Sequence, residues 1–374
     1  MAANRFPRAS LLVTATVLAF AVPALADAPL RDAPVIWYDD DRVPFSTEVE
    51  ERDPSLFYDF ANESLFRPTG YYLNPVRNLR RLAPTVEADE PSANVNRLGE
   101  VPNSSWFTNR IGLYPMTAEE VARGPNTTKG PSHDGPWTIV AAKTEGVTPG
   151  FTIRDVTGQR YLIKFGPMEH PVMPTAAGVI SQRLFHAIGY WVPEDDITWF
   201  RRENLVVSPE AEIDLPDGNE RPMTDADIDA ILARVEQLPS GQYRAISSKF
   251  LPGRPVGPFD YQDTRPDDPN DRIEHQHRRE LRGLKVFAEW LNHFDTKQQN
   301  TLDILVETDD GEHYLRHYLI DFASTLGTGA HGPIRKFGWE ATLDPKAVLR
   351  RSLTLGLVED DYRLVERPEG LPEI

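Results

Sequence analysis

Between Trp137 and Gly189 the apolar residues change their spacing from two to roughly 3.6, and this change limits the possible folds more than any other feature of the chain. Trp137 to Thr144 reads as a strand, Glu145 to Gly150 as a turn, and Phe151 to Asp155 as a second strand. Val156 to Gln159 is a glycine-containing turn, and Arg160 to Phe165 a third strand of alternating character. Connections this short join antiparallel neighbours, so the run predicts a meander. Pro174 and Thr175 then open a helix to about Gly189, with Ala176, Val179, Ile180, Leu184, Ala187 and Ile188 on one face. A meander followed by a helix points to an α+β fold.

Later segments extend this pattern. Ile197 to Phe200 and Leu205 to Val207 are strand-like, Thr224 to Leu238 is a helix capped by Thr224 with Asp227 three residues on, and Tyr243 to Phe250 is a strand. Leu251 to Asp271 is rich in Pro, Gly and Asp and reads as irregular, long enough to suggest a lid. A helix from His277 to Leu291 carries Leu281, Leu284, Phe287, Ala288 and Leu291 on one side. Strands follow at Leu302 to Val306 and Tyr314 to Ile320, joined through Asp309-Asp310-Gly311, and a short helix runs from Pro345 to about Leu353. Residues 27–136 are rich in Pro, Asp and Asn with scattered aromatics. They predict an extension of short strands and turns that packs onto the main body, with Trp106-Phe107 as the contact.

Arg5, Arg8, the apolar stretch Leu11 to Val22 and Ala24-Leu25-Ala26 give residues 1–26 the form of a signal peptide, which implies an exported product, periplasmic or extracellular. No later stretch is long and apolar enough for a membrane span. With 40% hydrophobic and 26% charged residues the chain has globular composition, and with no Cys it must be held by core burial alone. A formal charge of −17 repels nucleic acid and anionic membranes, so neither is an expected partner. A phosphate-bearing ligand needs a local basic group to overcome that field.

Two segments carry the chemistry. His293-Phe294-Asp295-Thr296-Lys297-Gln298-Gln299-Asn300 follows a helix, and Asp321-Phe322-Ala323 follows the apolar strand end Tyr318-Leu319-Ile320. Phosphoryl transfer needs its charges neutralised and its nucleophile aligned, and little else. Asp295 suits the acceptance of a proton from an attacking hydroxyl, while Asn300 and Asp321 supply hard oxygens for Mg²⁺. Lys297 could reach the transferred phosphate, and Lys164, in the third strand, the α and β phosphates. Taken singly, each residue also suits a plainer place: a solvated turn after a helix, a turn carboxylate, a surface strand lysine.

Together these residues resemble the protein-kinase-like superfamily over about residues 137 to 345, most closely in the H-x-D-x-K-x-x-N run. The resemblance implies a two-lobed α+β fold, with a strand-rich N-lobe over 137–250, an irregular linker over 251–272, a C-lobe over 273–350 and a tail over 351–374. It implies nucleotide in the cleft, contacted by Lys164 and by Gly146 and Gly150 of the preceding turn, with Mg²⁺ or Mn²⁺ on Asn300 and Asp321. Asp295 and Lys297 are the implied catalytic pair, ATP or another nucleotide the donor, and a hydroxyl on a protein, lipid or glycan the acceptor. The helix from Thr175 to Gly189 has no Glu to pair with the strand lysine, Gln182 being the only substitute, and Ala323 stands where a glycine follows Asp-Phe. No spaced glycine fingerprint or Ala-Pro-Glu signature occurs. These departures are more similar to HipA-like, lipid-kinase-like and secretory-pathway kinases. With the scarcity of ATP outside the cytoplasm, they also motivate an alternative, an inactive pseudokinase-type binding module of the cell envelope.

Other chemistries have thinner support. His275 with His277, and His313 with His317, have the same-face spacing of a zinc pair on a strand. No G-x-S-x-G run marks a serine nucleophile.

Overall fold

The extension opens with helices where short strands and turns are expected: α1 (Leu56–Ala61), a π-helical turn (Asn62–Phe66), α2 (Arg67–Leu73) and α3 (Pro75–Arg81). Prolines fall in the first turns of α2 and α3, where a missing N–H costs no helical bond, so the abundance of Pro punctuates helices here instead of excluding them. α4 (Ala118–Arg123) begins with a capping box, Glu120 N–H donating to Thr117 Oγ1 and Thr117 N–H to Glu120 Oε2. This computed structural model describes residues 39, 41–53, 56–82, 91–142, 148–214, 220–329, 332–333, 349–350, 352–355 and 357–358, all within one unit, Val35–Ile374. The signal peptide over 1–26, Gly146 and the start of the Pro345 helix lie outside the described residues; Leu349, Arg350, Ser352 and Leu353 are helical.

The fold is α+β. The meander forms as β1 (Trp137–Ala142), β2 (Gly150–Arg154) and β3 (Arg160–Lys164), paired antiparallel. After α5 (Met173–Ile188) come β4 (Asp195–Phe200), β5 (Leu205–Asp214), β6 (Glu220–Pro222), α6 (Asp225–Leu232) and β7 (Tyr243–Lys249). The seven strands make one mixed sheet in the order β4-β7-β3-β2-β1-β5-β6, with β1 and β5 parallel. On one face Trp137, Ile139, Phe151, Ile153, Tyr161, Ile163 and Phe200 form a core with Ile228 and Leu232 of α6. The same alternation sends Lys164 to the opposite face. α6 ends earlier than Leu238, because Arg234 and Val235 bond three residues back instead of four and tighten the last turn.

On that opposite face lies α5. A Cβ on Gly178 would stand 3.2 Å from Ile246 Cδ1 of β7 and 3.8 Å from the backbone of Ala323. The glycine therefore lets helix, sheet and the segment after Ile320 meet at one point.

The C-terminal part holds β8 (Arg254–Pro255), α7 (Arg279–Trp290), β9 (Thr301–Glu307) and β10 (His313–Leu319), with β9 central in a three-stranded sheet. A small hairpin, β11 (Thr328–Gly329) and β12 (Gly332–Pro333), follows. Phe185, Tyr190, Phe259, Leu284, Leu291, Leu319 and Phe322 form its core with Trp106 of the extension. The stretch read as a lid is instead fastened along its length. Val256 N–H donates to Asp303 O, Phe259 N–H to Thr301 Oγ1, and Asp271 is buried against His275 (2.7 Å) and Arg278 (3.2 Å). Among the described residues no helix is long and apolar enough to cross a membrane.

Candidate functional site

The end of the β9/β10 hairpin brings the two motif segments together. β10 pairs with β9 up to Leu319 opposite Thr301, and one step further Ile320 N–H donates to Asn300 O at 2.9 Å. Asp321 is thus the next residue after the partner of Asn300. At Asp321 the backbone turns left-handed (φ 58°), a conformation that Asp tolerates better than most residues and that ends the strand abruptly.

The loop before Asn300 has an equally local cause. α7 closes with Asn292 at φ 51°; its N–H donates to Glu289 O, and His293 N–H donates to Ala288 O at 2.7 Å. This is a paired C-terminal cap with Asn in the left-handed position, and it delivers His293 inward. The His293 ring lies among Phe185 and Phe322, at 5.9 and 5.8 Å between centroids, and its Nδ1 is 3.3 Å from Ser324 O. Facing a carbonyl, that nitrogen carries the proton. Burial lowers the pKa of His293, against the pull of Asp295 and Asp321, so a neutral ring couples the two segments.

Asn300 donates its side-chain N–H to Asp295 O at 2.7 Å, fixing the loop and turning the amide's role toward its oxygen. Asp295 carries Lys297 on one oxygen, Nζ to Oδ1 at 3.0 Å, both side chains about one-third exposed.

Across from them stands Lys164, the last residue of β3, directly opposite Gly150 of β2 and Ile246 of β7. Its Nζ lies 3.3 Å from Asp321 Oδ1. Of the predicted residues, Lys164, Asp295, Lys297, Asn300 and Asp321 are therefore joined by direct contacts or through the Asn300–Ile320 pair, and Gly150 adjoins Lys164. Burial works against the lysine's charge, but Asp321 and then Asp195 outweigh it and hold the ammonium's pKa above its usual value.

Asp195 is the site residue that sequence reasoning missed. It begins β4, and β4 and β3 both pair with β7, with Ile197 and Lys164 flanking Ile246. Two residues before Ile197, Asp195 shares the face of Lys164. It is 4% exposed, its Oδ1 has no hydrogen-bond partner, and burial pushes its pKa up to about 6, with Lys164 pulling the other way. The signal was present but hidden: Glu194-Asp195-Asp196 looks like a solvated acidic turn. Glu194 pairs with Lys249 (2.9 Å) and Asp196 with Arg183 (3.2 Å), which leaves the middle acid to point inside. Gln182 does not take the part of the absent helix Glu; its amide donates to Pro193 O at 2.6 Å, just ahead of β4.

Asn300 and Asp321 are the residues that could hold a divalent cation. Asp321 is 43% exposed, and Asn300 and Asp321 together offer two hard oxygens, the small protein share Mg²⁺ takes when phosphates and waters complete its shell. The histidine pairs do not assemble as zinc chelators. His275 and His277 lie in a 3₁₀ turn, not a strand, and go to Asp271 and to Glu274 with Arg282. His317 goes to Asp303 at 2.6 Å and His313 to Thr47 O at 2.8 Å. Among the described residues no group of three or more His, Asp or Glu is arranged to hold a metal. No protein-family model, curated protein or solved structure matches this chain.

Proposed function

We propose that this chain is an exported, kinase-like protein that binds a metal–nucleotide between a strand-rich lobe over 137–250 and a second lobe over 273–350. Its reaction is transfer of a phosphoryl group to a hydroxyl acceptor. The observation that carries this reading is the 3.3 Å contact of Lys164 Nζ with Asp321 Oδ1, which unites residues from two distant segments at one point. In a chain of charge −17, such a lysine supplies the local positive potential a phosphate requires.

Each residue then has a part set by its chemistry. Lys164 contacts the non-transferred phosphates, and Asn300 and Asp321 hold Mg²⁺, which neutralises phosphate charge when bound. Asp295, half-buried and held by Asn300 through its backbone, accepts the proton of the attacking hydroxyl. Lys297, already on Asp295, lies within reach of the transferred group. His293 and Phe322 form the floor that holds both loops.

The test is thermal stabilisation by Mg²⁺ with ATP, and separately with GTP. Stabilisation of the wild type that is abolished in Asp321→Ala supports the reading, and an unchanged response in that variant overturns it. Stabilisation without loss of the γ-phosphate, under conditions that supply hydroxyl acceptors, assigns the chain to the non-catalytic binding module instead.

A further inference from the structure

Lys164 and a metal ion cannot use Asp321 in the same way. The ammonium lies on Asp321 Oδ1, the carboxylate that the functional reading gives to a divalent cation. A cation arriving there meets a positive charge at contact distance, and the two repel. A cation on Asp321 takes up part of the carboxylate's charge and weakens its hold on Lys164, so a second carboxylate on the same face of the sheet gains the ammonium.

The geometry offers one. Lys164 and Asp195 lie on the same face with only β7 between their strands and two residues of offset along them, about 12 Å apart at the backbone, a span that the lysine and aspartate side chains cover together. Asp195 is 4% exposed and its Oδ1 accepts no hydrogen bond, an expensive state for a buried carboxyl oxygen. Among the described residues the neighbouring cations are engaged elsewhere: Arg183 on α5 is 3.2 Å from Asp196, and Lys249 is 2.9 Å from Glu194. The backbone around it is firmly placed, with Asn126 Nδ2 donating to Asp195 O at 2.8 Å and Gln182 to Pro193 O at 2.6 Å.

We infer that Asp195 is the positioning residue for Lys164: as Asp321 coordinates a divalent cation, the ammonium leaves Asp321 for the buried Oδ1 of Asp195, which then holds it toward the nucleotide phosphates. The inference rests on the functional reading above. It gives the sheet the carboxylate that α5 lacks, from β4 instead of from the helix.

The experiment is a coupled set of variants, Asp195→Asn, Lys164→Met and both together, with affinity for Mg²⁺ plus ATP measured by calorimetry and by thermal shift. Asp195→Asn keeps the shape and an oxygen for the hydrogen bond from Ser248 while removing a buried charge, so its ligand-free melting temperature is expected to equal or exceed that of the wild type. Its affinity for Mg²⁺–ATP is expected to fall about tenfold, the size of one well-placed charge-assisted contact. In the Lys164→Met background the same change is expected to have no effect, and Asp195→Glu to restore part of the loss. A lower ligand-free stability of Asp195→Asn, an unchanged affinity, or additive losses in the double variant each overturn the role of Asp195 while leaving the nucleotide site standing. No response of the wild type to Mg²⁺–ATP removes the site and this inference together.

Discussion

His186, in the last turn of α5, has an Nδ1 without a hydrogen-bond partner, and burial followed by the charges of Arg110 and Arg123 lowers its pKa from 6.5 to about 4. Unfolded chain takes up this proton below pH 6.5, whereas folded chain does so only near 4, so stability falls as pH drops through that interval. Asp195 acts in the opposite sense. Its folded pKa of about 6 lies above the ordinary 3.8, so the folded state takes the proton first and gains stability as pH falls from about 6 toward 3.8. The two contributions oppose each other between pH 4 and 6. Urea titrations across this range should show a steeper acid loss in Asp195→Asn and a gentler one in His186→Leu than in the wild type. A variant curve parallel to the wild type contradicts the assignment for that residue. Neither shift was legible in the sequence, because both follow from burial by groups remote along the chain. Asp295, Asn300 and Asp321 could be picked out as candidates from two short segments, and Lys164 from the third strand, because spacing and side-chain chemistry are local properties.

At the scale of elements, the site depends on how closely α5 lies against β7 and the Asp321 segment. Ser181 Oγ and Thr325 Oγ1 are 2.7 Å apart, and Leu326 N–H donates to Leu291 O at 2.7 Å, so the segment is held by both α5 and the end of α7. Gly178→Val adds bulk where a Cβ alone already meets Ile246 at 3.2 Å. It is expected to cost about 1–3 kcal/mol by overpacking and to weaken Mg²⁺–ATP binding by displacing Ala323 and Asp321. Denaturant unfolding and calorimetry of this variant check both, and full affinity in a destabilised variant separates packing from the site. The meander, α5, α7 and the final hairpin were all readable, since long amphipathic helices and alternating strands state their period openly. Helices α2 and α3 were not, because their prolines, harmless in first turns, read as breaks. β4 was read from Ile197 and so began two residues late, its acidic start passing for a turn.

For the molecule as a whole, the extension is part of the structure and not an appendage. Trp106 is 3% exposed, stacked on His317 at 3.5 Å with 13° between rings, and Arg278 lies over it at 4.6 Å. Phe107 closes on Gly189, where a side chain would collide with its ring. Trp106→Ala is expected to destabilise the whole chain by about 3–5 kcal/mol, in a single cooperative transition if the extension and the body unfold together. A separate early transition in chemical denaturation contradicts that coupling. The expectation that Trp106-Phe107 joins the extension to the body came from the sequence alone, since exposed aromatics of that size are costly. So did the α+β class, the meander with its helix, and the residues suited to phosphate chemistry, because period, turns and side-chain chemistry are properties of neighbouring residues. Tertiary structure alone decided that Lys164 rests on Asp321 and that Asp195 is buried beside it. Both depend on strand order and on the depth of burial, and these are set by contacts between residues far apart in the chain.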